Sequence, residues 1–206
     1  MSSIIQVDPI VKCFSVTWML GSRCNYDCMY CPTELHDNIS KHHSIDTLKQ
    51  SWQQVVEKTQ HLALPYKLSF TGGEVTTNRD FLPFLEWLKQ QSYEIQLFTT
   101  TNGSASIKYY SRLAQLLNGL TMSTHSEFMD ESKFFKIASV LNPIMKRPEK
   151  SLHVNIMDEH WNQDRIPHYV EYCQRHDISH SVNTIDYSRQ TRITVHNCGK
   201  RNMLDV

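Results

Sequence analysis

The sequence predicts an α/β fold, a partial (β/α)6 barrel with parallel strands inside and helices outside. Three observations predict it. Short apolar runs rich in β-branched and aromatic residues alternate with segments whose apolar residues recur at helical spacing. The alternation yields six strands and five helices, the order that builds a parallel sheet covered by helices. The chain has 206 residues, fewer than the ~250 of a closed eight-stranded TIM barrel, so the expected barrel is TIM-like and open.

The elements follow in order. "VKCFSVTWML" is the first strand and leads straight into "CNYDCMYC", Cys24 to Cys31. Ile45, Leu48, Trp52, Val55 and Val56 recur at helical spacing, with Ser44 placed to cap. "YKLSF" is the second strand and ends at "TGGE". The second helix carries Phe81, Leu82, Leu85 and Leu88, and Pro83 is tolerable because it falls in the first turn. "YEIQLFTT" is the third strand and ends at "TNG". Ile107, Tyr110, Leu113, Leu116 and Leu117 mark the third helix, and "GLTMSTHS" carries the fourth strand. Phe134, Phe135, Ala138 and Leu141 mark a helix expected to stop near Pro143. "SLHVNIM" is the fifth strand, residues 165–175 form a helix with Ile166, Tyr169, Val170 and Cys173 inward, and "ISHSVNTI" is the sixth strand. Residues 186–206 offer one possible strand, "TRITVH", and are otherwise irregular.

About 40% of the residues are apolar, enough for one core of ordinary size, so residues 1–206 are expected to form a single domain. Twenty-one basic residues balance twenty-one acidic ones. No net field then favours nucleic acid or anionic lipid, and neither partner is expected. No apolar run approaches the ~20 residues that span a bilayer, and "MSSIIQVDPI" lacks the basic flank of a targeting segment. The cytoplasm is the expected compartment.

Three of the six cysteines crowd into one loop. In a parallel architecture the loops after the strands gather on one face, where sites are built. The cysteine loop, "TGGE", "TNG", the His125 region and the Asn155 region all fall there. Three thiolates alone do not complete a tetrahedral site, and two completions are open. A structural zinc ion would recruit a fourth ligand such as His42, His43 or Cys198, whereas a [4Fe-4S] cube would leave one iron without a protein ligand.

In this setting "CNYDCMYC" resembles the Cx3Cx2C motif of the radical S-adenosylmethionine superfamily, and it stands just beyond the first strand, where that family places it. Tyr30 resembles the family's aromatic residue that packs near the adenine. "TGGE", with Gly72, Gly73 and Glu74, is similar to the glycine-rich motif that meets the methionine amino group. The resemblance implies that Cys24, Cys28 and Cys31 hold a [4Fe-4S] cluster whose open iron chelates S-adenosylmethionine. It further implies a reductant such as flavodoxin or ferredoxin, and a 5'-deoxyadenosyl radical that abstracts hydrogen from substrate. Ser123 and Asn155 resemble, in place, family residues that bond the ribose hydroxyls or the carboxylate. Asn102 and Gly103 serve either as a turn or as a ligand-facing loop.

His125 and Glu127 are expected to project beyond the fourth strand towards substrate, with a solvated or core role as the alternative. Arg165, Arg189 and Arg192 are the residue type that clamps a carboxylate, though a solvated face is their ordinary use. Cys13 and Cys173 read as buried small hydrophobes. The leading functional expectation is a single-cluster enzyme acting on a small metabolite or short peptide. The second is an activating or maturation enzyme acting on a partner protein, and the third is a non-enzymatic zinc-binding or interaction domain.

Overall fold

The computed structural model describes residues 13–32 and 35–185. Six strands, β1 (Phe14–Met19), β2 (Tyr66–Thr71), β3 (Ile95–Thr101), β4 (Gly119–Ser123), β5 (Ser151–Asp158) and β6 (Ser179–Thr184), form one sheet in sequential order. Every neighbouring pair is parallel. The helices are α1 (Ile45–Thr59), α2 (Phe81–Leu88), α3 (Ile107–Leu116), α4 (Glu131–Met145) and α5 (Ile166–Arg175). Sequential order with a helix in each crossover is the arrangement of a partial (β/α) barrel, and the predicted fold class is the observed one.

The local reasons are those the residue pattern carries. Ser44 caps α1 by accepting from the Thr47 N–H, and Ser106 caps α3 by accepting from Tyr109. Trp52, Tyr110, Tyr169, Phe70, Phe81 and Phe84 are the largest fully buried side chains, and they fill the layer between the sheet and its helices. Alternation sends the other residue of each strand to the concave side. Ser15, Thr17 and Met19 of β1 are exposed there, as is Thr100 of the central β3. A core-facing wall backed by a polar, open wall is what an incomplete barrel requires.

Two details refine the expected elements. Helix α4 continues to Met145 with Pro143 inside it, because proline in a final turn displaces a hydrogen bond only where the helix is about to end. Val75–Thr77 forms a short 3-10 turn, so Glu74 caps a single turn and is not part of a full helix. Among the described residues no helix is long and apolar enough to cross a membrane. Arg189, Arg192, Cys198 and the "TRITVH" strand lie outside the described residues.

Candidate cluster and cofactor site

The cysteine loop leaves the end of β1 and is held by backbone contacts on two sides. Gly73 N–H donates to Gly21 C=O, and Glu74 N–H to Arg23 C=O, both at 2.8 Å. Cys24 N–H donates to Asp37 C=O at 2.7 Å, and Asp37 N–H to Ser22 C=O at 2.9 Å. The glycines of "TGGE" are needed for the first of these approaches. A Cβ on Gly73 would sit 2.1 Å from the Arg23 carbonyl oxygen, and Gly72 has φ +121°. In this chain, therefore, the motif docks against the strand that delivers the cysteines.

Glu74 ties that turn to the end of β3. Its Oε1 accepts from Thr76 N–H at 3.0 Å, Thr76 Oγ at 2.6 Å and Thr101 Oγ at 2.7 Å, and Oε2 accepts from Asn102 N–H at 2.7 Å. Burial raises its pKa, and the surrounding donors oppose the rise. Oε2 carries one of these bonds and keeps a further acceptor position. Asn102 is buried, and its Nδ2 reaches Asn25 Oδ1 at 3.0 Å, so the "TNG" turn also touches the cysteine loop. Ser123, the last residue of β4, is the register partner of Asn155 in the middle of β5. The Asn155 Oδ1 accepts from Ser181 at 3.3 Å.

His125 and Glu127 lie against the cysteine loop itself. His125 Nδ1 stands 3.6 Å from Cys28 Sγ and is hydrogen-bonded to the Tyr30 hydroxyl. Glu127 accepts from Met29 N–H at 3.0 Å. Tyr26 stacks on Phe128 with centroids 5.6 Å apart. Burial drives the His125 pKa down to about 4, leaving a neutral imidazole. Burial also raises Tyr30, with the charge of Cys28 as the next cause.

Sequence reasoning passed over Glu159 and Asn25. Glu159, just after β5, is 0% exposed. Its Oε2 accepts from Ser126 N–H at 3.0 Å, from Ser126 Oγ and from Asn162 Nδ2 at 3.3 Å. Burial pushes its pKa up to about 7, the Ser126 donors oppose this, and Glu127 adds to it. Its position at the C-terminal end of a barrel strand was the available signal, but "MDEHWN" matches no short motif. Asn25 could be found only by its contact with Asn102.

The donor set suits an iron–sulfur cluster. Three soft thiol ligands come from one loop, and each thiol lies within electrostatic reach of the other two. Burial raises Cys24 to about 11 and Cys28 further still, so both are protonated unless a cation takes the proton's place. Among the described residues no group of three or more His, Cys, Asp or Glu is arranged around a single ion. His42 is engaged by Thr77 Oγ at 3.2 Å.

No family model matches the chain. It is 29% identical over 91 residues, 44% of its length, to an S-adenosylmethionine-dependent nucleotide dehydratase of Selenomonas ruminantium. It is 26% identical over 155 residues, 71% of its length, to the GTP 3',8-cyclase of Pasteurella multocida. It is 31% identical over 108 residues, 52% of its length, to a probable GTP 3',8-cyclase of Thermococcus kodakarensis. The matches cover 30%, 45% and 33% of those proteins, so the chain spans less than half the length of each. Among solved structures, SuiB of Streptococcus suis bound to precursor peptide SuiA superposes with a TM-score of 0.62, at 16% identity, over 88% of this chain and 42% of that one. BtrN in complex with AdoMet and 2-DOIA superposes with a TM-score of 0.52, at 16% identity, over 90% of this chain and 76% of that one.

Proposed function

We propose that this chain is a radical S-adenosylmethionine enzyme, a reading supported by its cysteine motif, by partial likeness to an S-adenosylmethionine-dependent nucleotide dehydratase and to GTP 3',8-cyclases, and by the fold it shares with SuiB and BtrN. On this reading Cys24, Cys28 and Cys31 hold a [4Fe-4S] cluster that binds S-adenosylmethionine and, once reduced by a flavodoxin- or ferredoxin-type donor, supplies the electron for its reductive cleavage. The observation that carries it is the meeting of the cysteine loop with the ends of β2, β3 and β4 through Glu74, Asn102 and His125.

The chain's own residues then have separable tasks. Gly72 and Gly73 allow the backbone of "TGGE" to lie against residues 21–23, which fixes the origin of the cysteine loop. Glu74 offers its remaining Oε2 acceptor position to the cosubstrate ammonium. Ser123 and Asn155, side by side on β4 and β5, offer a hydroxyl and an amide to its ribose or carboxylate. Buried Cys28, with half-buried Tyr30 and His125 packed against it, limits water on one flank of the site, where it would otherwise quench a radical.

For the substrate, we infer a residue of a partner protein or precursor peptide, joining the second of the sequence-based expectations, an activating or maturation enzyme, with the peptide half of the first. Two observations favour it. The neighbour with a TM-score of 0.62 holds a precursor peptide, and the concave wall here is open at Ser15, Thr17 and Thr100, with apolar Met19 exposed beside them. The nucleotide-acting relatives favour a second reading, in which the substrate is a small nucleotide-like metabolite. The test is anaerobic reconstitution with iron and sulfide, then dithionite and S-adenosylmethionine, scoring 5'-deoxyadenosine by mass. Its formation at about one cluster per chain supports the chemistry. A colourless protein retaining one zinc and giving no product sinks it. With active protein in hand, faster turnover with GTP than with a panel of ribosomally encoded peptides would reverse the substrate assignment.

A further inference from the structure

We propose that Tyr30 and His125 form a hydrogen-bonding pair on the Sγ of Cys28 that raises the reduction potential of the iron–sulfur cluster. This rests on the cluster assignment above and gives His125 a task distinct from substrate contact.

The Tyr30–His125 pair meets the Cys28 thiol. His125 Nδ1 lies 3.6 Å from Cys28 Sγ and is hydrogen-bonded to Tyr30 OH. The Tyr30 and His125 rings stack at 12° with centroids 6.0 Å apart, and Tyr26 meets His125 edge-on at 6.0 Å. Cys24 has other donors, the Tyr26 backbone N–H at 3.4 Å and Asn102 Nδ2 at 4.0 Å. The cross-loop side-chain pair therefore converges on Cys28.

A ligating thiolate has lone pairs and no proton, so it can only accept. The hydroxyl of Tyr30 and the imidazole of His125 carry the protons available to it. When Nδ1 bears the imidazole proton, that N–H faces Sγ. When the proton sits on Nε2, Tyr30 O–H is the donor on this side of the ring. In either tautomer the pair beside the sulfur carries a donor. Hydrogen bonds to cluster sulfurs set the potential, and a donor favours the more negatively charged reduced state. The stack and the edge contact from Tyr26 hold the pair in place.

The loop that carries His125 is anchored independently. Thr124 N–H donates to Asn155 C=O at 2.8 Å, Met157 N–H to Thr124 Oγ at 2.9 Å, and Ser126 to Glu159. His125 and Tyr30 are accordingly positioning residues that act through Cys28, and their distinguishing readout is a potential.

The experiment compares the unsubstituted chain with Tyr30→Phe and His125→Phe, each reconstituted anaerobically. Iron and sulfide are assayed, and the cluster is titrated by EPR in mediated redox buffers. With equal cluster content, the double variant should show at least a tenfold smaller reduced-to-oxidised ratio at the unsubstituted midpoint, a lowering of 59 mV for a one-electron couple. His125→Gln, which retains an N–H donor, should recover part of the shift. Full clusters with an unchanged potential in all variants overturn the proposal. Loss of the cluster from both single variants overturns it too, since the pair is then scaffold. An unsubstituted chain that binds no cluster overturns both this inference and the assignment beneath it, and its lack of colour separates that case from the others.

Discussion

The Glu127 carboxylate accepts the Met29 N–H at 3.0 Å, so a residue 98 positions downstream holds the middle of the cysteine loop. A hydrogen bond to a charged group contributes about 2 kcal/mol. Glu127→Ala should therefore lower the melting temperature by about 4–8 °C and speed loss of iron on desalting. Glu127→Gln, which keeps a carbonyl acceptor at the same place, should recover most of both. Differential scanning calorimetry and an iron assay on the two variants check this, and equal behaviour of Ala and Gln would refute the hydrogen bond as the cause.

Gly73→Ala places a methyl carbon 2.1 Å from the Arg23 carbonyl oxygen and 2.4 Å from its carbon. Both are backbone atoms and cannot swing aside, so the turn must part from residues 21–23, breaking the paired bonds to Gly21 and Arg23. The expected cost is roughly 3 kcal/mol or more. Soluble yield, melting temperature and iron content should all fall. A Gly73→Ala protein with unsubstituted stability would refute the close packing.

Most of the frame was legible because barrel strands and amphipathic helices announce themselves locally. Ser44, Trp52, Phe81 and Leu88 each sit where their spacing put them, and the three cysteines needed no tertiary information. What was not legible depends on contacts distant in sequence. His125 and Glu127 were expected to project beyond the fourth strand towards substrate, with a solvated or core role as the alternative. Their contacts with Cys28, Met29 and Tyr30, nearly a hundred residues away, are encoded by no periodicity. Glu159 was missed for the same reason: its significance lies in burial against Ser126 and Asn162, which a lone acidic residue in a polar loop does not disclose. Helix α4 ends at Met145, near Pro143 as expected, because a proline in the final turn costs little.

Glu159 gives stability a pH dependence with a definite sign. Burial raises its pKa from an ordinary 4.5 to about 7, with Ser126, Trp161 and Glu127 as further influences. The folded state binds the proton more tightly than the unfolded state. The stabilisation is fully present below about pH 4.5 and is lost as pH rises through about 7. Its size is about 3 kcal/mol at most, from 1.36 kcal/mol per pKa unit. His125 acts oppositely: its pKa of about 4 makes the fold lose stability as pH falls below the ordinary 6.5. Urea denaturation across pH 5–8 should show Glu159→Gln with a flatter decline on the alkaline side than the unsubstituted chain. Parallel curves would show that the carboxyl does not titrate in this window.

The cysteines should separate by role. Cys28→Ala removes one of three cluster ligands, so iron, visible colour and 5'-deoxyadenosine formation should disappear together. Cys173 is also fully buried, but it lies on α5 within the core. Burial raises its thiol to about 11, which keeps it a neutral packing group. Cys173→Ala should cost about 1 kcal/mol or somewhat more for the lost sulfur contacts and leave iron per chain unchanged. Iron and sulfide assays on the two variants, reconstituted side by side, distinguish the roles. Full iron in Cys28→Ala would remove this cysteine from the ligand set, whereas iron loss confined to Cys173→Ala would move the metal to a part of the fold where no other thiol among the described residues stands beside it.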